Sequence, residues 1–458
     1  MDVQVQRSFV IPAPQSEPSA EVPLTVFDLV APAYHVTVLF AYAAPNPTDA
    51  ALLDALAATL PRFPLLTARL VVADADERRR RRPFFVTGRG GAGALVVEAT
   101  VASALSDHLP LAPAPELARL HVPVGGDVAP PPPHMLMLQI NRFACGGLVI
   151  ASSSYHQAAD GYSMSTFFHA WADAVRANNK HDTLLPAAPA APAPYGPGAI
   201  TPRRPPRCEF EHRGTEFLRA EDAAAGRPAP ARVDPSEIAN VLLHLPSDFV
   251  AALKASAAPP QGQGRWYTTF EAVSAHLWRK ITLARGRADD ASRTALNAAV
   301  NGRARLGADA LARGFFGNAV LTASAAACAR DLARGALADA AALIRAAVRA
   351  RDRQYFQSFV DFGELHLHGG EELLEPTVGD EDNVLLPDVA SDSWLHLELH
   401  RLDFGCGGRL AGILPAKVPL DGVVVLIPSL RKGGGVDAFV ALWEKHAKEL
   451  MDIAYTMD

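Results

Sequence analysis

A proline-rich run divides the chain near its middle and limits what the rest can form. Residues 185–206 read LPAAPAAPAPYGPGAITPRRPP and contain eight prolines. Proline supplies no backbone N–H to a helix or a sheet, so this run is predicted as an extended crossover linker. A chain of 458 residues is also too long for one ordinary core. We therefore predict two domains, residues 1–184 and 213–458, joined by a linker over residues 185–212.

Both halves mix the periodicities of strands and helices, which predicts an α/β fold. In the first half, residues 3–10 and 33–43 have strand character, and Thr48 is placed to cap a helix over residues 49–60. In the second half, alternating leucines in residues 391–408 predict a strand that enters a glycine-rich turn. Residues 436–455 are predicted as a closing helix.

Charge and composition exclude several classes of function. The net charge of -6 argues against a general nucleic-acid-binding protein. The chain shows neither an apolar run long enough to cross a membrane nor a secretory signal, and its four cysteines are widely spaced, so we expect a cytoplasmic protein with reduced thiols. The run Arg78–Arg82 is interpreted as a solvated loop, with a nuclear-localisation or anionic-surface patch as the alternative.

One short stretch has the residues of an acid–base site. His156 is followed four residues later by Asp160 and then by Gly161, directly after an apolar strand. A histidine can take up and return a proton near neutral pH. The spacing alone is weak evidence, because a packed histidine paired with a structural carboxylate would show the same pattern.

A second stretch, in the other half of the chain, favours the acid–base interpretation of His156. The pair formed by HQAADG (His156–Gly161) and DFGCG (Asp403–Gly407) resembles the two signatures, H-x-x-x-D-G and D-F-G-W-G, of the plant BAHD acyltransferases. The segments VSAHLWR (273–279), VNGRARL (300–306) and FFGNAV (315–320) also resemble that family. Cys406 stands where the family has tryptophan, which leaves the local packing there open.

The resemblance implies a fold and a mechanism. The expected fold has two chloramphenicol-acetyltransferase-like domains of similar size, each a mixed sheet flanked by helices, with the active-site channel at their interface. A segment around residues 373–392 is expected to pack on the sheet of the first domain. His156 would be the general base, Asp160 would hold the loop and orient it, and Asp403 would be structural, for instance through Arg303. Trp394 would be the side-chain donor to the oxyanion.

The same resemblance implies the substrates. Acyl-CoA would be a co-substrate, contacted by Ser274, Arg279 and Ser393, with no permanently bound cofactor and no metal. The chain is most similar to grass N-acyltransferases that attach hydroxycinnamoyl or benzoyl groups to amines such as agmatine, putrescine, tyramine or tryptamine. Glu371 and Glu372 would then contact the amine, although a solvated acidic loop is the favoured interpretation of this acidic stretch. The family implies a monomer without nucleic-acid or membrane partners.

Three alternatives stay open at this point. One is an O-acyltransferase acting on an alcohol such as shikimate or quinate. Another is a non-catalytic relative that binds acyl-CoA or amine, for which Cys406 is the only support. The third is a carrier-protein-dependent condensation domain, which usually has a second histidine where this chain has Tyr155. The HLELH stretch (His396–His400) is interpreted as one face of a strand and not as a zinc site, because the zinc-protease pattern is H-E-x-x-H on a helix.

Overall fold

The computed structural model describes residues 1–72, 82–124, 133–179, 193–219, 233–258, 266–366, 374–377 and 384–457. The helices in this part of the chain are α1 (Val26–Leu29), α2 (Asp49–Thr59), α3 (Gly161–Asn179), α4 (Ser247–Ser256), α5 (Thr269–Ala284), α6 (Arg303–Leu306), α7 (Ala329–Arg334), α8 (Leu337–Ala350), α9 (Arg353–His366) and α10 (Glu444–Ile453). The strands are β1 (Val3–Ile11), β2 (Ala20–Pro23), β3 (His35–Tyr42), β4 (Arg69–Val71), β5 (Phe84–Thr87), β6 (Ala94–Val101), β7 (Leu136–Phe143), β8 (Leu148–Tyr155), β9 (Phe217–Arg219), β10 (Ile238–Leu245), β11 (Arg293–Asn301), β12 (Val320–Cys328), β13 (Leu374–Pro376), β14 (Val389–Ser393), β15 (Leu410–Pro415), β16 (Val423–Pro428) and β17 (Val436–Trp443).

Helix starts follow the capping chemistry of the sequence. Thr48 accepts a hydrogen bond from the amide of Ala51 at the start of α2. Thr268 and Glu271 form a reciprocal capping box at the start of α5. Such a cap stabilises a helix by about 1 kcal/mol, so Thr48 and Thr268 set where α2 and α5 begin.

The larger sheet of the first half has the strand order β1-β6-β7-β8-β3-β15. Strands β6 and β7 run parallel and the other neighbours are antiparallel, so the sheet is mixed. Strands β7 and β8 are buried almost throughout, including the polar side chains of Gln139 and Asn141 and the serines at 152–154. Helices α2 and α3 pack together beside this sheet. A smaller sheet, in the order β2-β5-β4, completes this half.

The sheet of the second half has the order β10-β17-β16-β14-β11-β12, and β14 runs parallel to both of its neighbours. Residues of α5, α8 and α10 form a single apolar cluster with one face of this sheet. We call this cluster the helix-side core. The opposite face contributes Val425, Ile427, Phe439 and Ala441 to the main cluster of the first half, which we call the first core. One sheet therefore joins the helices behind it to the first half in front of it.

The last strand of the first sheet comes from the second half of the chain. β15 pairs antiparallel with β3, with Leu414 opposite Leu39. The prediction that residues 373–392 supply this contact is wrong, because β13 pairs with β9, and β14 lies inside the second sheet. The exchanged strand lies after the DFGCG turn, so that turn is where the chain crosses between the sheets.

The described part of the linker lies against both halves. The amide of Ala193 donates to the carbonyl of Arg62 at 3.3 Å, and the amide of Thr201 donates to the carbonyl of Ala310 at 2.8 Å. From residue 193 to residue 212 the only helical piece is the single turn Pro197–Ala199. This agrees with the extended crossover predicted from the prolines.

Two sequence predictions of secondary structure are wrong. Residues 436–443 form strand β17, whose side chains are buried on both faces between β10 and β16, and the closing helix begins only at Glu444. The strand predicted over His396–His400 ends at Ser393, and a short turn, Leu399–Arg401, follows. No helix in the described ranges is long and apolar enough to cross a membrane.

Candidate active site

His156 lies where a buried strand ends against the second half of the chain. β8 stops at Tyr155, and His156 begins a single helical turn, His156–Ala158, ahead of α3. Its amide donates to the carbonyl of Tyr34 at 2.9 Å. The residue is half-buried, and its ring Nδ1 is buried with no hydrogen-bond partner among the described residues. The ring nitrogen is therefore not used by the fold.

Asp160 explains the spacing of the motif. One carboxylate oxygen accepts the amide of Ser163 at 2.9 Å, in the first turn of α3, which is the geometry of an N-cap. The other oxygen accepts from Arg303 at 2.7 Å and from the amide of Ala319 at 3.0 Å, both in the second half. Asp160 is 2% exposed. It thus ends the histidine turn, starts a helix and joins the two halves.

The guanidinium of Arg303 completes this junction. Besides Asp160, it donates to the hydroxyl of Ser163 at 2.8 Å and to the carbonyl of Gly317 at 2.9 Å. It also lies over the ring of Tyr162, 4.7 Å from the ring centre. The expected contact between Asp403 and Arg303 is wrong, because Arg303 is held by the motif that carries His156.

Asn318 ties the histidine turn to the second half directly. Its side-chain amide donates to the carbonyls of His156 at 3.0 Å and Gln157 at 2.9 Å. The same amide lies 2.9 Å from a carboxylate oxygen of Asp28, which is fully buried. Burial raises the pKa of Asp28 to about 6, against the hydrogen bonds from Asn318 and Thr25 that lower it.

The DFGCG turn packs on the first half and does not reach this junction through its carboxylate. Asp403 accepts the amide of Gly405 at 2.7 Å, and its carbonyl accepts from Arg176. Phe404 is buried with its ring edge-on to Trp171, the ring centres 4.9 Å apart. Cys406 is exposed and has a left-handed backbone with φ of 59°. The turn is therefore an anchor for the strand exchange.

The two sides of β14 separate the remaining predicted residues. The hydroxyl of Ser274, on α5, lies 3.0 Å from the hydroxyl of Ser391, which is on the helix side of β14. Ser393 lies on the same side of the strand, and its buried hydroxyl has no hydrogen-bond partner among the described residues. Trp394 instead packs against the first core, and its indole N–H donates to no described residue.

Arg279 is buried behind the sheet. It donates to the carbonyls of Leu332 at 3.1 Å and Ala333 at 3.3 Å, near the end of α7. Those contacts use the guanidinium within the helix layer. Glu371 and Glu372 lie outside the described residues.

Two residues of the junction were not singled out from the sequence. Asp28 and Asn318 carry no spacing signal of their own. The segment FFGNAV, which contains Asn318, was visible only as part of the resemblance. Within the described residues there is no group of three or more His, Cys, Asp or Glu side chains that could hold a metal ion.

The arrangement supports proton transfer at His156. A half-buried histidine whose ring forms no hydrogen bond with a described residue can take a proton from a bound nucleophile. Its backbone is fixed from both halves, by Tyr34 on one side and Asn318 on the other, which limits how far the ring can move. This is the geometry of a general base held at an interface.

Comparisons with known proteins agree with one another. The family model described as "Transferase family" matches residues 1–457. The chain is 37% identical to tryptamine hydroxycinnamoyltransferase 2 of Oryza sativa subsp. japonica, over 95% of this chain and 93% of that protein. It is 34% identical to putrescine hydroxycinnamoyltransferase of the same organism, over 100% of both chains. The fold matches the crystal structure of F. sporotrichioides TRI101 complexed with coenzyme A and T-2, with a TM-score of 0.70 and 16% identity over 94% of this chain and 97% of that one.

Proposed function

The chain belongs to the BAHD acyltransferases, the Transferase family whose model matches residues 1–457, and we propose that it transfers a hydroxycinnamoyl or benzoyl group from a coenzyme A thioester to the nitrogen of an amine. One observation carries the proposal: His156 lies half-buried where the two halves meet, and no described residue forms a hydrogen bond with its ring. The names of both rice relatives support the acceptor class, because each is a hydroxycinnamoyltransferase of an amine.

In the proposed reaction His156 is the general base. The amine binds as an ammonium ion and first releases one proton to solvent. The neutral nitrogen then attacks the thioester carbonyl and passes a second proton to the ring of His156, which forms the C–N bond and a tetrahedral intermediate. When the intermediate collapses, the C–S bond breaks and the histidine returns that proton to the coenzyme A thiolate. The products are an amide and the free thiol, so the step needs neither an oxidant nor a covalent enzyme intermediate.

Asp160 acts through position in this proposal. Its carboxylate is satisfied by Arg303, Ser163 and Ala319, and it forms no hydrogen bond with the ring of His156. A carboxylate with these partners fixes the turn that carries His156. Asp403 is assigned a comparable structural role in the strand exchange.

The oxyanion of the tetrahedral intermediate needs a donor, and Trp394 is the proposed one. Its indole N–H is unused by the described residues, and the residue packs on the side of β14 that faces the first core. Ser393 remains a proposed contact of the coenzyme. The expected contacts from Ser274 and Arg279 are not proposed further, because both side chains are buried behind the sheet and bonded within the helix layer. Glu371 and Glu372 remain proposed contacts of the amine, and Glu372→Lys should raise the KM for amine without changing the KM for acyl-CoA.

The proposal extends to organisation and location. The two domains, 1–184 and 213–458, would be those of the two larger sheets, with the active-site channel between them and β15 exchanged. We propose a monomeric cytoplasmic enzyme, and the absence of a disulfide among the four cysteines fits a reducing compartment. Light scattering of the purified protein and the location of a fluorescent fusion test these two statements.

The proposal is tested by a matrix of substrates. Coumaroyl-CoA and benzoyl-CoA are each offered with agmatine, putrescine, tyramine, tryptamine and shikimate, and the products are identified by mass spectrometry, with His156→Ala as the background. An amide from at least one amine is expected. Products formed only from shikimate would move the assignment to an O-acyltransferase, and no product from any acceptor would favour the non-catalytic alternative.

A further inference from the structure

Strand β14 carries one acidic side chain that the reaction described above does not use. Within this strand Val389 and Ser391 are buried, and the hydroxyl of Ser391 lies 3.0 Å from that of Ser274 on α5. Side chains alternate between the two faces of a strand. Asp392 therefore points away from the helices behind the sheet.

The register of the sheet shows what Asp392 faces. β14 and β16 run parallel, with Ser391 beside Val424 and Asp392 beside Val425. Val424 belongs to the helix-side core, and Val425 belongs to the first core. Residues paired across two strands share a face, so Asp392 lies on the face turned toward the first half.

The carboxyl group of Asp392 lies close enough to His156 for the two side chains to interact electrostatically. By surface area the residue is exposed, yet it lies deep enough that burial raises the pKa of its carboxyl group. The positive charge of protonated His156 acts in the opposite direction on the same pKa, which places the two side chains within reach of each other's field. No described residue forms a hydrogen bond or an ion pair with Asp392.

Building on the proposed function, we propose that Asp392 is the acceptor-binding residue whose carboxylate holds the ammonium group of the amine beside His156. A carboxylate can only accept hydrogen bonds, so it favours a ligand that brings N–H donors and positive charge. A primary alkylamine is an ammonium ion at neutral pH, since its pKa resembles the value of about 10.4 for lysine. The phosphates of coenzyme A would be repelled from the same position, which reserves it for the acceptor.

The proposed role of Asp392 is in binding the acceptor, and it predicts that the protein distinguishes acceptors by their charge. Tryptamine and tryptophol share an indole and an ethyl chain and differ in carrying an ammonium or a hydroxyl group. A charge-assisted hydrogen bond in a partly desolvated site is lost with the alcohol. We therefore expect the protein to bind tryptamine about ten to a hundred times more tightly than tryptophol.

The test measures this ratio by isothermal titration calorimetry on the full chain with coenzyme A present. It compares the unmodified protein with Asp392→Asn, which keeps the shape and removes the charge. Asp452→Asn, an exposed aspartate on α10, is the matched control. Thermal melts of all three proteins establish that they are folded. The ratio should fall to near one in Asp392→Asn and stay unchanged in Asp452→Asn.

Each outcome decides one of the two ideas. A protein that binds tryptophol as tightly as tryptamine overturns the role of Asp392, even if the asparagine variant does not fold. So does an unchanged ratio in a folded Asp392→Asn protein. Transfer to shikimate but not to any amine would instead overturn the proposed function, and the binding ratio would still show whether Asp392 selects cations.

Discussion

Replacing Arg303 with methionine removes the cation that neutralises Asp160 while it keeps much of the side-chain volume. Asp160 is 2% exposed and Arg303 is 13% exposed at the side chain, with the two groups 2.7 Å apart. Loss of Arg303 leaves a buried carboxylate without its charge partner. It also removes the donors to the hydroxyl of Ser163 in the first half and to the carbonyl of Gly317 in the second half.

The expected size of this effect follows from the burial. Removing one partner of a buried ion pair costs about 3–5 kcal/mol. Asp160 keeps the amides of Ser163 and Ala319, and Arg303 is not fully buried, so the lower end of this range, about 3 kcal/mol, is expected. With an unfolding slope of roughly 3 kcal/mol per molar urea, the midpoint should fall by about 1 M.

The matched control is Arg353→Met. Arg353 lies 3.5 Å from Asp309, and their side chains are 64% and 90% exposed. Such a pair is worth about 0–1 kcal/mol, so its loss should barely move the midpoint. Unfolding in urea is followed by tryptophan fluorescence and circular dichroism, with kcat measured on the same preparations. Equal midpoints for the two variants would refute the view that the Asp160–Arg303 pair holds the histidine turn.

Three further predictions concern the same junction. Asn318→Ala removes the tie to the carbonyl of His156 and should lower kcat about tenfold while KM for acyl-CoA changes little, as steady-state kinetics would show. Gly302→Ala should destabilise the fold by about 2 kcal/mol or more in thermal or urea unfolding, because a Cβ there would lie 2.3 Å from the buried ring of Phe356. Because the pKa of Asp28 is raised to about 6, the folded chain holds this proton more tightly than the unfolded chain, so the stability it adds is full below about pH 4 and is lost by pH 6. The free energy of unfolding of the unmodified protein relative to Asp28→Asn should therefore fall across that window in urea titrations.

Each of these predictions has a matched control or a contradicting result. Asn240→Ala removes hydrogen bonds to Val418 in the second half and should leave kcat unchanged. Gly198→Ala places a Cβ where nothing lies within 4 Å and should leave stability nearly unchanged. A constant stability difference between the unmodified protein and Asp28→Asn from pH 4 to pH 6 would contradict the pH argument.

Local sequence signals predicted much of the fold. The strand at residues 3–10, the strand within residues 33–43 and the helix capped by Thr48 are all present, because each depends on a cap or a short apolar repeat. The resemblance implied the chloramphenicol-acetyltransferase-like fold, and the comparisons confirm the family and the fold.

The errors share a physical cause. Strand β17 is apolar on both faces because it is central to its sheet, and a continuous apolar segment shows no period that separates it from a helix. The pairing of the exchanged strand β15 with β3 was not predicted either, because nothing in the sequence of β15 identifies a partner that lies about 370 residues earlier in the chain. In both cases the structure depends on which strands pair in the folded protein.

The site was predicted in part. His156 and Asp160 are visible as a motif, but the partner of Asp160 is decided by a contact across the two halves, which sequence spacing cannot report. Asp392 was hidden within a stretch noted only for Trp394. Its significance depends on which face of β14 it occupies, and that face is fixed by the register with β16.

The most direct measurement of the central claim is kcat for amide formation by His156→Ala with the best pair of acyl-CoA and amine. His446→Ala, a half-buried histidine on α10, is the control for the loss of an imidazole elsewhere. The account predicts a fall of about 100-fold or more in kcat for His156→Ala at unchanged thermal stability, and no comparable change for His446→Ala. A folded His156→Ala protein that forms the amide at nearly the unmodified rate would contradict it.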